Sequence, residues 1–98
     1  MVKMIIQPSK AKNKRLTAIF YDDSGKKIKT TNFGLKGGST YIDHKDKKLR
    51  SRYIARHRVN EDWTNYQSPG ALAKHLLWGE SGALDTNIKL YKKKFKLK

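Results

Sequence analysis

The fold is decided by the stretch RLTAIFYDDSGKKIKTTNF, residues 15–33. Its first part alternates in the way that places successive side chains on opposite faces of a β-strand. The two alternating sets are Leu16, Ala18 and Phe20, and Thr17, Ile19 and Tyr21. The turn-forming run Asp22–Gly25 follows, and residues 27–33 resume a β-prone pattern. The stretch therefore predicts a β-hairpin.

The segments on either side of the hairpin complete an α+β architecture. An isolated hairpin is only marginally stable in water, and residues 1–7 are β-prone up to Pro8. We therefore expect a hairpin plus an edge strand, or a three-stranded antiparallel sheet, followed by three helices packed on it. The length suits one small basic domain over residues 1–98 and not two domains. The β part is expected in residues 1–34 and the helical part in residues 40–96.

The first helix is predicted from Tyr41 to Arg58, after the glycine-rich segment Gly34–Ser39 ends the sheet. Ser39 or Thr40 is expected to cap its N-terminus, and the helix is expected to end near Asn60. A core-facing stripe at helical spacing comprises Ile42, Leu49, Tyr53 and either Ala55 or Arg56. Two pairs at i,i+4 have the favourable orientation for ion pairs on the helix surface, Asp43 with Lys47 and Asp46 with Arg50.

Two further helices are predicted in the last third of the chain. The pair Ser68-Pro69 is a strong helix start, because serine caps free amides and proline suits the first helical position. The apolar run Ala71–Trp78 then forms a short helix that is closed by Gly79. Ser81 or Asp85 is expected to cap the last helix. Its apolar side chains recur at helical spacing: Leu84, Ile88, Tyr91 and Phe95.

Charge is the strongest feature of the composition. Lysine and arginine outnumber aspartate and glutamate by 23 to 8, which gives a formal charge of +15 on 98 residues. Such self-repulsion favours a negatively charged partner, although a solvated basic exterior or a disordered chain has the same composition. Basic and apolar residues are interleaved throughout, which favours folded elements with basic outer faces. With no cysteine and no apolar run of membrane-spanning length, the protein is expected to be soluble and intracellular.

Enzyme chemistry has little support in the sequence. His44, His57 and His75 lack zinc-ligand spacing, so structural roles suit them better. The carboxylates in the first predicted helix are explained as surface charges, and we expect no enzyme activity, metal, cofactor or small-molecule substrate. The loop Gly34–Ser39, which contains Lys36, lacks the ending of a phosphate-binding P-loop. It is better explained as a strand-to-helix connector than as an anion-binding loop.

A distributed basic surface is the main functional prediction. The basic faces of the first and last helices are expected to merge into one surface that neutralises phosphates without reading bases. The residues predicted to bind phosphate or another polyanion are Lys36, Lys45, Lys48, Arg52, Arg56, Arg58, Lys92, Lys93 and Lys94. Trp63 and Tyr66 lie in a loop, where they either anchor a partner or cover the small core from outside.

Several short motifs resemble those of one family. They are TNFGLKGG at residues 31–38, HKD at 44–46 and RYIARH at 52–57, followed by Trp63, GAL at 70–72 and LLW at 76–78. In this combination the chain resembles uncharacterised small basic proteins encoded by giant and other large nucleocytoplasmic DNA viruses. The resemblance implies a viral setting and supplies no catalytic residue.

That setting suggests three functional hypotheses. The first is a non-enzymatic virion structural protein, made in the infected host cell, whose basic face binds DNA non-specifically or an acidic capsid protein. The alternative is a minor capsid or cement protein that acts only through protein contacts, with Trp63, Tyr66 and the region of Trp78 as anchors. The second alternative is a sequence-specific nucleic-acid-binding regulator, in which single arginines would set base preference.

Overall fold

The N-terminal part of the chain is a three-stranded antiparallel sheet. A computed structural model describes residues 1–59 and 62–98. The strands are β1 (Lys3–Pro8), β2 (Lys14–Tyr21) and β3 (Lys27–Leu35), in the order β1-β2-β3. Helices follow the sheet, so the predicted α+β arrangement and its third strand are confirmed.

The turn between β2 and β3 is organised by Asp22. Its Oδ1 accepts hydrogen bonds from the backbone N–H of Ser24 at 3.0 Å and of Lys26 at 2.9 Å. Gly25 has a φ of 87°, a left-handed conformation that glycine adopts without steric cost. The reversal of the chain is therefore satisfied by its own residues, which is why the hairpin is predictable from sequence.

One face of the sheet forms the floor of the core, and the helical part covers it. One of the two alternating sets of β2 is buried, and it packs with residues from β1, β3 and the later helices. The buried cluster contains Met4, Leu16, Ala18, Phe20 and Phe33 from the sheet, and Leu72, Leu76, Leu77, Tyr91 and Leu97 from the rest of the chain. Burial of these side chains is the main force that holds the two layers together.

Gly34 lies where β3 packs closely against the helical layer. Its φ is 78°, and a Cβ there would lie 2.8 Å from Cδ1 of Leu77 and 3.2 Å from Cβ of Arg15. Leu77 is 1% exposed, so it is enclosed by neighbours and has little room to move away. Glycine is therefore required here both for the backbone conformation and for the close approach.

The prediction of one continuous helix from Tyr41 to Arg58 is wrong. The structure has two helices in this range, α1 (Tyr41–His44) and α2 (Lys47–His57). Lys45 lies between them with a φ of 57°, a left-handed conformation through which a right-handed helix does not continue. Asn60, near which the helix was expected to end, lies outside the described residues.

Asp46 restarts the helix after the break. Its Oδ1 accepts hydrogen bonds from the N–H groups of Lys48 at 2.9 Å and Leu49 at 3.3 Å, and its own N–H donates to Nδ1 of His44 at 2.9 Å. Asp46 is therefore the N-cap of α2. The ion pair predicted between Asp46 and Arg50 does not occur among the described residues.

Part of the predicted core-facing stripe reaches the core. Tyr53 is 8% exposed, as predicted, whereas Leu49 is 39% exposed. Ala55 and Arg56 are exposed as well, so neither extends the predicted stripe. Ile42 of α1 is half-buried and packs against the core. The prediction therefore fails at Leu49, which lies in the first turn of α2, one turn before the buried Tyr53.

The next helix begins at the predicted serine–proline pair. α3 (Pro69–Leu72) has Ser68 at its N-cap, and the Oγ of Ser68 accepts a hydrogen bond from the N–H of Ala71 at 3.1 Å. The chain continues directly into a π-helical turn (Ala73–Leu77). The N–H of Trp78 therefore donates to the first carbonyl of this turn, five residues back, at 3.1 Å.

The last helix, α4 (Leu84–Lys94), starts differently from the prediction. Ala83 occupies the N-cap position without a side-chain cap, and Asp85 lies inside the first turn. The hydroxyl of Ser81 accepts a hydrogen bond from the N–H of Ala83 at 3.0 Å, so it stabilises the approach to the helix and not its first turn. The predicted apolar face is confirmed, because Tyr91 is buried and three half-buried side chains pack beside it: Leu84, Ile88 and Phe95.

After α4 the chain returns to the sheet. Lys96 has a φ of 54°, and the N–H of Leu97 bonds back to a helix carbonyl at 2.8 Å, as in a Schellman motif. Leu97 enters the core. The N–H of Lys98 then donates to the carbonyl of Val2 at 2.8 Å, and its carbonyl accepts from the N–H of Met4 at 2.9 Å. This segment therefore lies along β1.

Candidate polyanion interface

The exposed side of α2 carries a row of cations. Lys48, Arg52 and Arg56 are spaced by four residues, so they follow one side of the helix at intervals of about 6 Å along its axis. All three are exposed, as are Lys45 before the helix and Arg58 after it. These five predicted residues are accessible to a large negatively charged partner.

The other predicted cations lie on α4 and at the end of β3. Lys93 and Lys94 are exposed, and Lys92 is half-buried. Lys36 is exposed in the turn after β3, where its N–H donates to the carbonyl of Asn13 at 3.1 Å. Lys36 is therefore positioned by the loop between β1 and β2.

A cavity of about 260 Å³ lies where α2, the π-helical turn and α4 meet. Each of these elements contributes one cation to its lining, and we call it the Arg50 cavity. The three cations are Arg50, Lys74 and Lys94. Lys94 belongs to the predicted binding set, and Arg50 was expected, with the other arginines of α2, to suit bidentate phosphate contacts. Arg50 lies two residues from both Lys48 and Arg52, on the opposite side of α2 from their exposed row, so the cavity does not join that row to α4.

Arg50 is held by two backbone carbonyls. Its Nε donates to the oxygens of Trp78 at 3.1 Å and Gly79 at 2.9 Å, and its guanidinium carbon lies 5.7 Å from the centre of the Tyr41 ring. Within residues 1–59 and 62–98, its terminal amino groups have no hydrogen-bond partner. Because Nε is fixed, these groups present a planar fork of donors, the geometry that suits a carboxylate or a phosphate.

Asn87, which lines the same cavity, fixes the backbone near Arg50. It is 1% exposed, and its Nδ2 donates to the carbonyls of Leu76 at 3.0 Å and Ser81 at 2.8 Å. Its Oδ1 accepts from the N–H of Ser81 at 3.0 Å. Gly79 packs so tightly here that a Cβ would lie 2.2 Å from the carbonyl oxygen of His75. The backbone that orients Arg50 is thus rigid.

Lys74 carries its charge in a crowded environment. Burial lowers the pKa of its ammonium, and the nearby charges of Arg50 and Lys94 lower it further, while Glu80 acts in the opposite direction. The ammonium also lies 5.1 Å from the centre of the Trp63 ring, a cation–π contact. The Arg50 cavity therefore concentrates positive charge against one carboxylate.

His75 lines the same cavity without adding charge at neutral pH. Burial, with contributions from Lys74 and Lys94, lowers the pKa of its imidazole to about 4, against a hydrogen bond with the Trp63 backbone that raises it. Its Nε2 is buried and has no hydrogen-bond partner in the described part of the chain. The ring packs against Tyr91, with centroids 5.4 Å apart.

Carboxylates of α1 and of the segment after α2 have structural partners. Asp43 binds Arg15 and not Lys47, its predicted partner, and Asp62 accepts hydrogen bonds from the N–H and hydroxyl of Thr64. Glu61 lies outside the described residues. Among residues 1–59 and 62–98, no three potential metal ligands cluster together, and no helix in these ranges has the length and apolar character needed to cross a bilayer.

The N-terminus of α1, which follows the glycine-rich connector, is capped by side chains of the protein itself. Thr40 is the N-cap of α1, as predicted, and its N–H and hydroxyl each donate to Oδ2 of Asp43 at 2.8 Å. The same carboxylate binds Arg15. The start of this four-residue helix is therefore filled by a carboxylate of the chain, which supports the interpretation of residues 34–39 as a connector.

The aromatic residues predicted as anchors are both half-buried. Tyr66 packs against the core, with its ring centre 5.5 Å from that of Phe20. Trp63 lies against Lys74, as described above. Trp78 stacks on Tyr53 with ring centres 4.3 Å apart and planes 4° from parallel, so it joins α2 to the π-helical turn. These contacts position the cations around the Arg50 cavity.

Sequence reasoning missed Arg50 and Lys74 as a pair because their proximity depends on tertiary structure. One signal was present: Lys74 is the only charged residue in the apolar run 71–78. A lysine in such a run either extends its ammonium to solvent or points it at a partner. The structure shows the second arrangement, with Trp63 and the Arg50 cavity beside it.

Comparison with known proteins places these residues in a family. A model of a family of unknown function, DUF5754, matches residues 4–57, from β1 to the end of α2. The chain belongs to this family. The match includes the α2 row and Arg50, whereas Lys74 and Lys94 lie beyond it. Neither the curated proteins nor the solved structures contain a match to the chain.

Proposed function

We propose that the protein is a non-enzymatic nucleic-acid-binding protein that contacts the phosphate backbone without sequence specificity. The observation that carries this proposal is the row Lys48, Arg52 and Arg56 along the exposed side of α2, with Lys93 and Lys94 exposed on α4. Long cationic side chains on an exposed helix face suit phosphates at irregular positions, and they add affinity without reading bases.

The lack of salt bridges to these cations within residues 1–59 and 62–98 supports the proposal. In the described part of the chain, the lysines and arginines of α2 and α4 form no salt bridge with a carboxylate. No salt bridge among the described residues therefore relieves their repulsion, and a polyanion would relieve it. The formal charge of +15 gives such a partner a long-range attraction that salt screens.

We further propose a virion as the setting, on the basis of the viral resemblance of the motifs at 31–38, 44–46 and 52–57. A packaged genome is then the first polyanion to test. An acidic capsid surface is the other partner that the same basic face suits, and it is distinguished by the outcome of the binding experiment below.

The experiment is binding to duplex and single-stranded DNA of unrelated sequences across a salt series. We expect similar affinities for all duplexes and a steep linear fall of the logarithm of the binding constant with the logarithm of salt concentration. Weak binding at physiological salt by a folded protein would refute genome contact and favour an acidic protein partner. Affinity that differs by orders of magnitude between sequences would refute sequence independence.

A charge-reversed triple variant localises the surface. R52E/R56E/K93E changes exposed residues on α2 and α4, so folding should be preserved, while the salt slope for duplex DNA should decrease by about 3. The matched control is K10E/K12E/K26E, which makes the same change in net charge on the loops of the sheet. If both variants weaken binding equally, net charge and not the helix surface controls it.

A further inference from the structure

We propose that the Arg50 cavity is a binding site for a single phosphate group. The guanidinium of Arg50 and the ammonium groups of Lys74 and Lys94 would bind the phosphate. It is separate from the exposed row on α2, and it needs no nucleic acid: the phosphate belongs either to a nucleic-acid strand or to free inorganic phosphate.

Charge balance is the first argument. The cavity lining holds three cations and one carboxylate, Glu80, and none of the three cations forms a salt bridge within the described residues. The three lie close enough that Arg50 and Lys94 disfavour the charged form of Lys74. A phosphate brings one or two negative charges and several acceptor oxygens, so it would offset the excess with charge-assisted hydrogen bonds.

Size is the second argument. A volume of about 260 Å³ holds several water molecules, each of which takes about 30 Å³ in the liquid. It is smaller than the cavities of about 300–1,000 Å³ that enclose drug-sized ligands. The cavity therefore suits a small hydrated anion, and a whole nucleotide would leave its base and sugar outside.

Preorganisation is the third argument. The Nε of Arg50 is fixed by two carbonyls, and Asn87 of the same lining is fixed by three hydrogen bonds to the backbone of Leu76 and Ser81. The donors that remain on Arg50 thus have a set direction before any ligand arrives, which reduces the entropy lost on binding.

The test is titration of the protein with inorganic phosphate at constant ionic strength, with chloride as the balancing anion. Calorimetry measures affinity, and the Arg50 Nε–H resonance reports the location. We expect saturable binding that shifts this resonance. In Lys74→Gln the dissociation constant should rise about tenfold or more, because one charge-assisted contact is lost. Binding that does not saturate, or that leaves the Arg50 signal unmoved, would overturn the proposal.

Two further variants make the result specific. Lys89→Gln removes an exposed lysine of the same helix, α4, outside the cavity, so phosphate affinity should be unchanged. Arg50→Lys keeps the charge and removes the fork of donors, so it should weaken binding even if the Lys74 variant fails to fold. Equal affinity in wild type, Arg50→Lys and Lys89→Gln would refute the site.

Competition with DNA distinguishes the two sources of phosphate. If phosphate displaces bound duplex more than chloride does at equal ionic strength, and Lys74→Gln abolishes that difference, the site takes a strand phosphate. If the two anions displace equally while phosphate still binds saturably, the ligand is free phosphate. Saturable phosphate binding without any DNA binding would refute the proposed function alone and leave this site standing.

Discussion

Arg15 of β2 and Asp43 of α1 form a bidentate salt bridge, with Nη1–Oδ2 and Nη2–Oδ1 distances of 2.7 and 2.8 Å. The same carboxylate accepts two hydrogen bonds from Thr40. One side chain therefore ties the sheet to the first helix and completes the cap of that helix. It is a polar connection between the two layers, beside the apolar contact of Gly34 with Leu77.

Asp43→Asn should destabilise the protein by about 1 kcal/mol at neutral pH, a value that allows for solvent screening of a partly exposed pair. The Arg15 guanidinium holds the pKa of Asp43 well below its ordinary 3.8. The stabilisation is therefore complete above pH 3.8 and is lost as the pH falls below it. Urea unfolding of both proteins at pH 7 and pH 3 measures this, and the difference should shrink at pH 3. Asp85→Asn, at an exposed carboxylate of α4, is the control.

Asn87→Asp should destabilise the protein by about 2–4 kcal/mol, because a carboxylate cannot donate to the carbonyls of Leu76 and Ser81. Asn32→Asp is the matched control. The Oδ1 of Asn32 accepts hydrogen bonds from the hydroxyls of Ser9 and Thr17, and a carboxylate keeps both. Chemical denaturation compares the two, and equal losses would contradict the role given to the amide donors of Asn87.

Gly34→Ala should cost about 2–4 kcal/mol, and Gly37→Ala about 1 kcal/mol. Both glycines have a positive φ, 78° and 84°. A Cβ at Gly34 would meet Leu77 at 2.8 Å, whereas one at Gly37 has nothing within 4 Å. The difference between the variants in the free energy of unfolding isolates the steric part. Similar losses would show that Leu77 moves aside.

His75→Gln should remove a pH dependence of stability between about pH 6.5 and 4. The folded pKa of about 4 lies below the ordinary 6.5. The unfolded chain therefore takes up a proton first as pH falls, and the wild type loses stability across this window. Relative to the variant, the loss should be about 1–2 kcal/mol, since solvent screens part of the effect. Parallel profiles of unfolding free energy against pH would contradict the buried, neutral state of His75.

The sheet was predictable because its determinants are local. The alternation in β2 and the turn chemistry of Asp22 and Gly25 specify the hairpin within a dozen residues. The start of α3 at Ser68 is local in the same way. The break at Lys45 was not predictable, since lysine has no intrinsic preference for a left-handed conformation and Asp46 fits a helix surface as well as a helix start.

The exposed part of the candidate site was also accessible from sequence, because spacing by four residues places Lys48, Arg52 and Arg56 on one side of any helix. The Arg50 cavity was not. It exists because the stacking of Trp78 on Tyr53 brings α2 to the π-helical turn, and because Gly79 leaves room for its neighbours. Those contacts join residues far apart in the chain.

The two borders of the sheet differ in what they offer to another molecule of the protein. The backbone of Lys98 lies along β1, while the first four residues of β3, Lys27–Thr30, are exposed. Two copies that approached through β3 would set Lys27 and Lys29 of one against those of the other. Like charges on an open strand discourage such pairing. Many copies can therefore pack close together without joining into a continuous sheet. We expect such packing where a polyanion lies between the copies and neutralises their charge.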